Sequence, residues 1–153
     1  MIVSHASDLT NDKAKIAVSW KFDQRIASDP NNCALIIEVL LDQLLEYDWG
    51  PKDTFAIHMA MEEAIMNAIC HGNEKCADKQ VHIVMTMDHQ VFFARVTDEG
   101  CGFNLDEVPD PTDDENLMNT SGRGVALIRH FVDSVAYNDV GNSVELKKGK
   151  SLS

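Results

Sequence analysis

The chain has 153 residues and a formal net charge of −12, with 44% hydrophobic and 25% charged residues. These values are typical of one folded domain and exclude a largely disordered chain. The negative charge repels nucleic-acid backbones and anionic lipid head groups, which favours a protein partner with a basic surface. No apolar run approaches the roughly 20 residues that a membrane-spanning helix needs, and the N-terminal segment lacks the apolar core of a signal peptide. We therefore expect a cytoplasmic protein with a single domain, residues 1–153.

The first half of the chain contains patterns for one strand and two helices. Apolar and polar residues alternate over residues 15–20, which predicts a first strand. A helix is predicted to begin at Asp29-Pro30 and to end at the Trp-Gly-Pro sequence of residues 49–51. A second helix is predicted to begin near Asp53, as its N-cap, and to end at His71-Gly72.

The second half predicts two hairpins separated by a loop and a helix. Two alternating apolar runs between residues 81 and 96 predict the first hairpin. Residues 106–121 are rich in Asp, Pro, Asn and Thr and predict a long loop. A short helix over 125–132 and a hairpin over 135–148 follow. This order predicts an α+β fold, with a mostly antiparallel sheet and helices layered on one face.

The second predicted helix carries polar residues on an otherwise apolar surface. Glu63 and Asn67 are four residues apart and share one helix face, which His71 continues a further turn on. The Asn67 oxygen is a hard ligand suited to Mg²⁺, and Glu63 can accept a proton from an attacking hydroxyl or orient it. The same pattern also fits a surface pair followed by a capping histidine, and the motif alone leaves both interpretations open.

Two glycine-containing segments add a possible nucleotide site. The segment 98–103, Asp-Glu-Gly-Cys-Gly-Phe, follows a strand, and its glycines permit a close approach of backbone to a flat ligand such as adenine. The segment 121–124, Ser-Gly-Arg-Gly, precedes the third predicted helix, where free N–H groups and the helix dipole favour a bound anion. Residues 106–121 would form a mobile lid over the nucleotide. Each segment alone is more typical of an ordinary turn or helix start than of a ligand site.

Together, residues 63–72, 98–103 and 122–125 resemble the N, G1 and G2 boxes of the GHKL ATPases in order and spacing. The resemblance spans about residues 15–148 and implies a two-layer α/β sandwich of the GHKL (Bergerat) type. Within this superfamily the chain is most similar to the anti-sigma factor serine kinases of the RsbW and SpoIIAB type, which share the Glu-Ala-x-x-Asn-Ala-x-x-His-Gly helix.

The resemblance also implies ATP and Mg²⁺ as cofactors and assigns roles to individual residues. Glu63 is the implied catalytic base, Asn67 the implied ligand of Mg²⁺, and Asp98 the implied contact to adenine. The chain departs from the family at Asn142, where threonine is usual. The other implied nucleotide-binding residues are His71, Gly100, Gly102, Phe103, Ser121, Gly122, Arg123, Gly124 and Val125.

The implied function is that of an ATP-dependent serine/threonine protein kinase. Such a kinase phosphorylates a serine of an anti-anti-sigma antagonist of the STAS-like type and sequesters a sigma factor or another regulator, and homodimers are common in the family. The alternative is an ATP-binding module that sequesters its partner without kinase activity. Glu63 favours the kinase, because a pure binding module needs the metal ligand but not the base.

Overall fold

A computed structural model describes residues 19–100 and 120–152, and of residues 120–124 it describes only the backbone. The elements within these residues are β1 (Trp20–Ala27), α1 (Pro30–Glu46), α2 (Pro51–Asn67), a π-helical turn (Ala68–Gly72), β2 (Gln80–Met87), β3 (Val91–Thr97), α3 (Thr120–Phe131), β4 (Ser134–Tyr137) and β5 (Ser143–Gly149). The five described strands form one antiparallel sheet in the order β1-β2-β3-β5-β4. Helix α2 packs against both α1 and α3. The order of elements confirms the predicted α+β fold.

The core lies between one face of the sheet and the helices. Every second residue of β2 and β3 points toward the helices and is at most 2% exposed, as the alternation of the sequence predicts. Burying a large side chain of this kind stabilises the fold by about 1.5–3 kcal/mol. The inward-facing residues are Val81, Ile83, Met85, Met87, Phe92, Ala94 and Val96.

Helix α1 begins where the sequence predicts. The Asp29 carboxylate accepts a hydrogen bond from the Asn31 N–H at 2.9 Å, and Pro30 occupies the first turn, where its missing N–H costs nothing. The buried face of α1 comprises Cys33, Ile36, Ile37, Leu40 and Leu44. None of the described helices combines the length and the apolarity that crossing a bilayer requires.

Strand β1 begins at the last residue of the predicted first strand and continues beyond it. Strand β1 covers Trp20–Ala27, whereas most of the predicted range, residues 15–18, lies outside the described residues. Among the described residues, β1 pairs with β2 alone, and its outer face carries charged residues such as Lys21 and Asp23. On its inner face the exposed Gln24 interrupts the apolar series. Because of this interruption, strict alternation of apolar and polar residues does not predict the strand.

Asp53 does not cap α2, and this prediction is wrong. Gly50 occupies the N-cap position, while Asp53 lies buried in the first turn. Its carboxylate accepts hydrogen bonds from the Ser151 N–H at 2.7 Å and the Ser151 hydroxyl at 2.6 Å. It also pairs at 3.3 Å with Lys148, which occupies an inward-facing position of β5. Burial raises the pKa of the Asp53 carboxyl, but the Ser151 hydrogen bonds and the Lys148 charge outweigh burial and hold the pKa below its ordinary value of 3.8.

We expect Asp53→Asn to lower the free energy of unfolding by about 2–4 kcal/mol at neutral pH, because Lys148 then stays buried without its carboxylate. The native pKa of Asp53 is depressed, so this stabilisation is fully present above the unfolded-state value, near 3.8, and is lost as the pH falls through the native value. Urea unfolding of the wild type and of Asp53→Asn measures the difference in their free energies of unfolding at pH 7 and at pH 3.

The matched control is Glu145→Gln, which breaks the exposed pair between Arg95 and Glu145, also 3.3 Å apart. Because solvent screens this pair, the control is expected to change stability by less than about 1 kcal/mol. Equal losses in the two variants at pH 7 would contradict a special role for the buried pair.

Candidate functional site

A cavity of about 290 Å³ lies where the C-terminal end of α2, the π-helical turn, the end of β3, helix α3 and the β4–β5 turn meet. This volume lies near the lower end of the range of about 300–1,000 Å³ for small-molecule sites. Four residues of the predicted nucleotide site line the cavity, namely Asn67, His71, Asp98 and Val125. The structure therefore brings together residues from three segments that are distant in the sequence.

The π-helical turn places His71 and Gly72 at the wall of this cavity. At its end, the Asn73 N–H donates to the Ala68 carbonyl oxygen at 2.8 Å, which is a bond between residues five apart. Such turns insert one extra residue into a helix and are frequent at functional sites. The turn carries His71 and Gly72 along the cavity wall, directly after Asn67.

Gly72 and Gly100 allow the end of the π-helical turn and residues 98–100 to approach unusually closely. A Cβ atom on Gly72 would overlap the Asp98 carboxylate, and a Cβ atom on Gly100 would overlap the Gly72 carbonyl oxygen. Neither glycine has a left-handed φ angle. Gly72 is thus required for space, and the helix stop predicted at this position follows from a close approach instead of a left-handed cap.

The Asp98 carboxylate is half-buried and held in one orientation. Its Oδ1 accepts a hydrogen bond from the Gly100 N–H at 2.8 Å. Within residues 19–100 and 125–152, Oδ2 accepts no hydrogen bond. Burial raises the pKa of Asp98 above its ordinary value, although the Gly100 hydrogen bond and the Lys79 charge oppose the rise. As far as the described residues go, Asp98 thus offers one acceptor beside the cavity that it lines.

Glu63 stands apart from the cavity lining. Its side chain is half-buried and is not among the groups that line the cavity. Its charge does reach Tyr137, which lines the cavity, because Glu63 contributes to the raised pKa of that phenol. Burial is the main cause of this rise to about 12, and Arg129 opposes it. The Tyr137 hydroxyl therefore remains protonated at neutral pH and able to donate a hydrogen bond.

Part of the predicted site lies outside the described residues. Gly102, Phe103 and the predicted lid up to residue 119 belong to this part. Helix α3 begins at Thr120, so the backbone of residues 121–124 lies in its first turns and does not precede the helix as predicted. Only the backbone of these four residues is described.

Several residues that line or support the cavity are not predicted by the sequence patterns. Glu74 and Lys79 line it from the segment between the π-helical turn and β2, where the sequence pattern indicates only a polar loop. The fully buried Asn73 directly follows the His-Gly pair, where asparagine is typical of a turn. The sequence does hold one indication of Asn73. The predicted second helix ends at Gly72, so the polar side chain of Asn73 follows the helix end directly and is expected to lie against it.

The family model of the histidine kinase-like ATPase domain matches residues 26–148, from the end of β1 to the end of β5. The anti-sigma F factor of Bacillus velezensis is 33% identical over 102 residues, which cover 63% of this chain and 70% of that protein. The anti-sigma F factor of Bacillus subtilis is 32% identical with the same coverage. That of Bacillus thuringiensis is 33% identical over 110 residues, which cover 69% of this chain and 75% of that protein.

We expect Gly72→Ala to weaken ATP binding at least about tenfold, because the added methyl group displaces the Asp98 carboxylate. Titration calorimetry measures the affinity, and thermal unfolding checks that the variant is folded.

Gly50→Ala is the matched control, since a Cβ atom there meets nothing within 4 Å and the φ angle of −75° suits alanine. This control is expected to retain the wild-type affinity. Equal affinities of the two variants for ATP would refute the steric argument at Gly72.

Proposed function

The chain belongs to the histidine kinase-like ATPase family and is a relative of the anti-sigma F factors, and from this premise we propose that it is an ATP-dependent serine kinase. Its substrate would be a serine of a STAS-like antagonist protein, and its second partner a sigma factor or another regulator that it sequesters. The observation that carries the proposal is the half-buried Asp98 carboxylate, held against Gly72 at the wall of the cavity. The net charge of −12 favours partners with basic surfaces.

Asp98 would recognise adenine through its exocyclic amine. Oδ1 is occupied by the Gly100 N–H, which leaves Oδ2 as the acceptor for one donor of the base. Guanine presents a carbonyl oxygen at the position of the adenine amine, and two acceptors facing each other repel. A buried carboxylate therefore discriminates between the two purines, since the wrong base leaves it unpaired.

Asn67 and Glu63 would serve the other end of the nucleotide. The Asn67 side chain lines the cavity and offers an amide oxygen, a ligand type that Mg²⁺ accepts. When bound, Mg²⁺ neutralises the negative charge on the phosphates. Glu63, one helical turn before Asn67, would take up the proton of the partner's serine hydroxyl as its oxygen bonds to the γ-phosphorus and ADP leaves.

One observation favours the second candidate function, a module that binds ATP and sequesters a partner without phosphorylating it. Glu63 does not line the cavity that Asn67 and Asp98 line. A glutamate that stays away from the γ-phosphate cannot accept the proton of the attacking serine. The two candidates therefore differ in one measurable property, phosphoryl transfer that depends on Glu63.

We expect Asp98→Asn to weaken Mg·ATP binding by about 10- to 100-fold, because a hydrogen bond to a charged acceptor contributes about 1.5–3 kcal/mol. Titration calorimetry measures the loss, with Mg·GTP as the comparison nucleotide. The wild type should prefer ATP, and the variant should lose most of that preference. An unchanged preference would show that another group recognises the base.

We expect Glu63→Gln to reduce phosphoryl transfer by about 10²- to 10⁴-fold while Mg·ATP binding is retained, because the amide cannot accept the serine proton. The assay follows labelled phosphate from ATP to STAS-like proteins encoded near the gene of this chain.

The control is Glu62→Gln, at the neighbouring glutamate that points to solvent and pairs with His58 at 3.0 Å. It should transfer phosphate at the wild-type rate. Binding of ATP without transfer to any of these proteins would favour the sequestering module.

A further inference from the structure

The peptide group between Asp98 and Glu99 is held at both of its polar atoms by asparagine side chains. The Asn142 Nδ2 donates to the Asp98 carbonyl oxygen at 3.2 Å. The Asn73 Oδ1 accepts a hydrogen bond from the Glu99 N–H at 2.7 Å. The two asparagines come from different segments, one after the π-helical turn and the other in the β4–β5 turn. A peptide plane fixed at its oxygen and at its nitrogen cannot rotate about the axis between its Cα atoms.

Asn73 is itself immobilised by its surroundings. It is fully buried, and its Nδ2 donates to the Ser28 hydroxyl at 2.9 Å and to the Gln80 carbonyl oxygen at 3.0 Å. These two acceptors fix the orientation of the amide, because a flipped side chain would place its oxygen against them. The Oδ1 must therefore face the Glu99 N–H.

Asn142 is held in a similar way within the β4–β5 turn. Its Oδ1 accepts a hydrogen bond from the Asn138 Nδ2 at 2.7 Å. The Asn138 Oδ1 in turn accepts hydrogen bonds from the N–H groups of Gly141, Asn142 and Ser143. A main-chain bond of 2.9 Å, from the Asp98 N–H to the Asn142 carbonyl oxygen, adds to this connection. Both polar atoms of the Asn142 amide are thus engaged by protein groups.

We propose that Asn73 and Asn142 form a clamp on the 98–99 peptide group that positions the Asp98 carboxylate for recognition of the nucleotide base. The inference rests on the proposed function, in which Asp98 accepts the adenine amine. Both are positioning residues, since they act through Asp98. The Gly100 N–H that occupies Oδ1 lies two residues beyond Asp98, so a rotated 98–99 peptide would move this donor and release the carboxylate. Asn142, although it lines the cavity, has the role of holding the protein chain.

The test uses two nucleotides that differ by one amine. Purine riboside triphosphate lacks the exocyclic amine of ATP, so the ratio of the two affinities reports the contact between Asp98 and that amine. For the wild type we expect a preference for Mg·ATP of about 10- to 100-fold. For Asn142→Ala and Asn73→Ala we expect this preference to fall below about threefold, because the Asp98 carboxylate is then no longer held in position by the clamp. Damage elsewhere in the fold lowers both affinities together and leaves their ratio unchanged.

The matched control is Asn32→Ala, which removes a half-buried asparagine whose Nδ2 also donates to a main-chain oxygen, that of Ala27, at 3.1 Å. It is expected to keep the full preference. Asn142→Ala decides the test if Asn73→Ala does not fold, because Asn142 is only half-buried and its loss is tolerated more readily.

Each outcome separates the clamp from the function on which it rests. A wild-type protein without preference for Mg·ATP contradicts the role of Asp98 in base recognition. A preference that persists in Asn142→Ala, with or without an equal loss of both affinities, overturns the clamp and leaves that role intact.

Discussion

The close approach of Gly72 to the Asp98 carboxylate is the constraint on which the candidate site depends. No other residue type leaves room for the carboxylate at this position, since even one methyl group would overlap it. The contact joins the end of the π-helical turn to the end of β3, and thereby the helical layer to the sheet. It also half-buries the carboxylate, which raises its pKa and makes an unfilled acceptor costly. A ligand that supplies one donor to Oδ2 removes this cost.

Local patterns predicted the fold well where each element depends on its own residues. The β2–β3 hairpin followed from strict alternation, and α1 followed from Asp29-Pro30, because both signals lie within a few residues. Asp53 was misassigned because its partner Ser151 lies 98 residues further along the chain, where no local pattern reaches. An aspartate near a helix start is typical of a cap, and only the tertiary structure reveals the inward-facing Lys148.

The candidate site could be predicted in its ligand-facing residues but not in their supports. The sequence allows Asn67, His71 and Asp98 to be predicted, because the three motifs resemble a known family in order and spacing. These three residues line one cavity. Asn73 and Asn142 have the composition of turns, and turns commonly contain asparagine for local reasons. Their hydrogen bonds to a peptide group 26 and 44 residues away arise only after the sheet has formed. Which residues support the site in this way depends on the arrangement of the strands, and a single sequence does not reveal that arrangement.

Backbone strain follows immediately after the residues that contact Asp98 and its peptide group. Glu74 and Lys75 have left-handed φ angles of 53° and 57°, and each such residue that is not glycine costs about 1–2 kcal/mol. The Lys75 N–H donates to the Ile69 carbonyl oxygen at 2.7 Å, which closes the end of the π-helical turn over this strained pair. A helix whose end is not constrained by other contacts would end in an unstrained conformation. Here the chain must carry Gly72 to the carboxylate and Asn73 to the Glu99 N–H before it turns toward β2, so the strain is a consequence of placing the site.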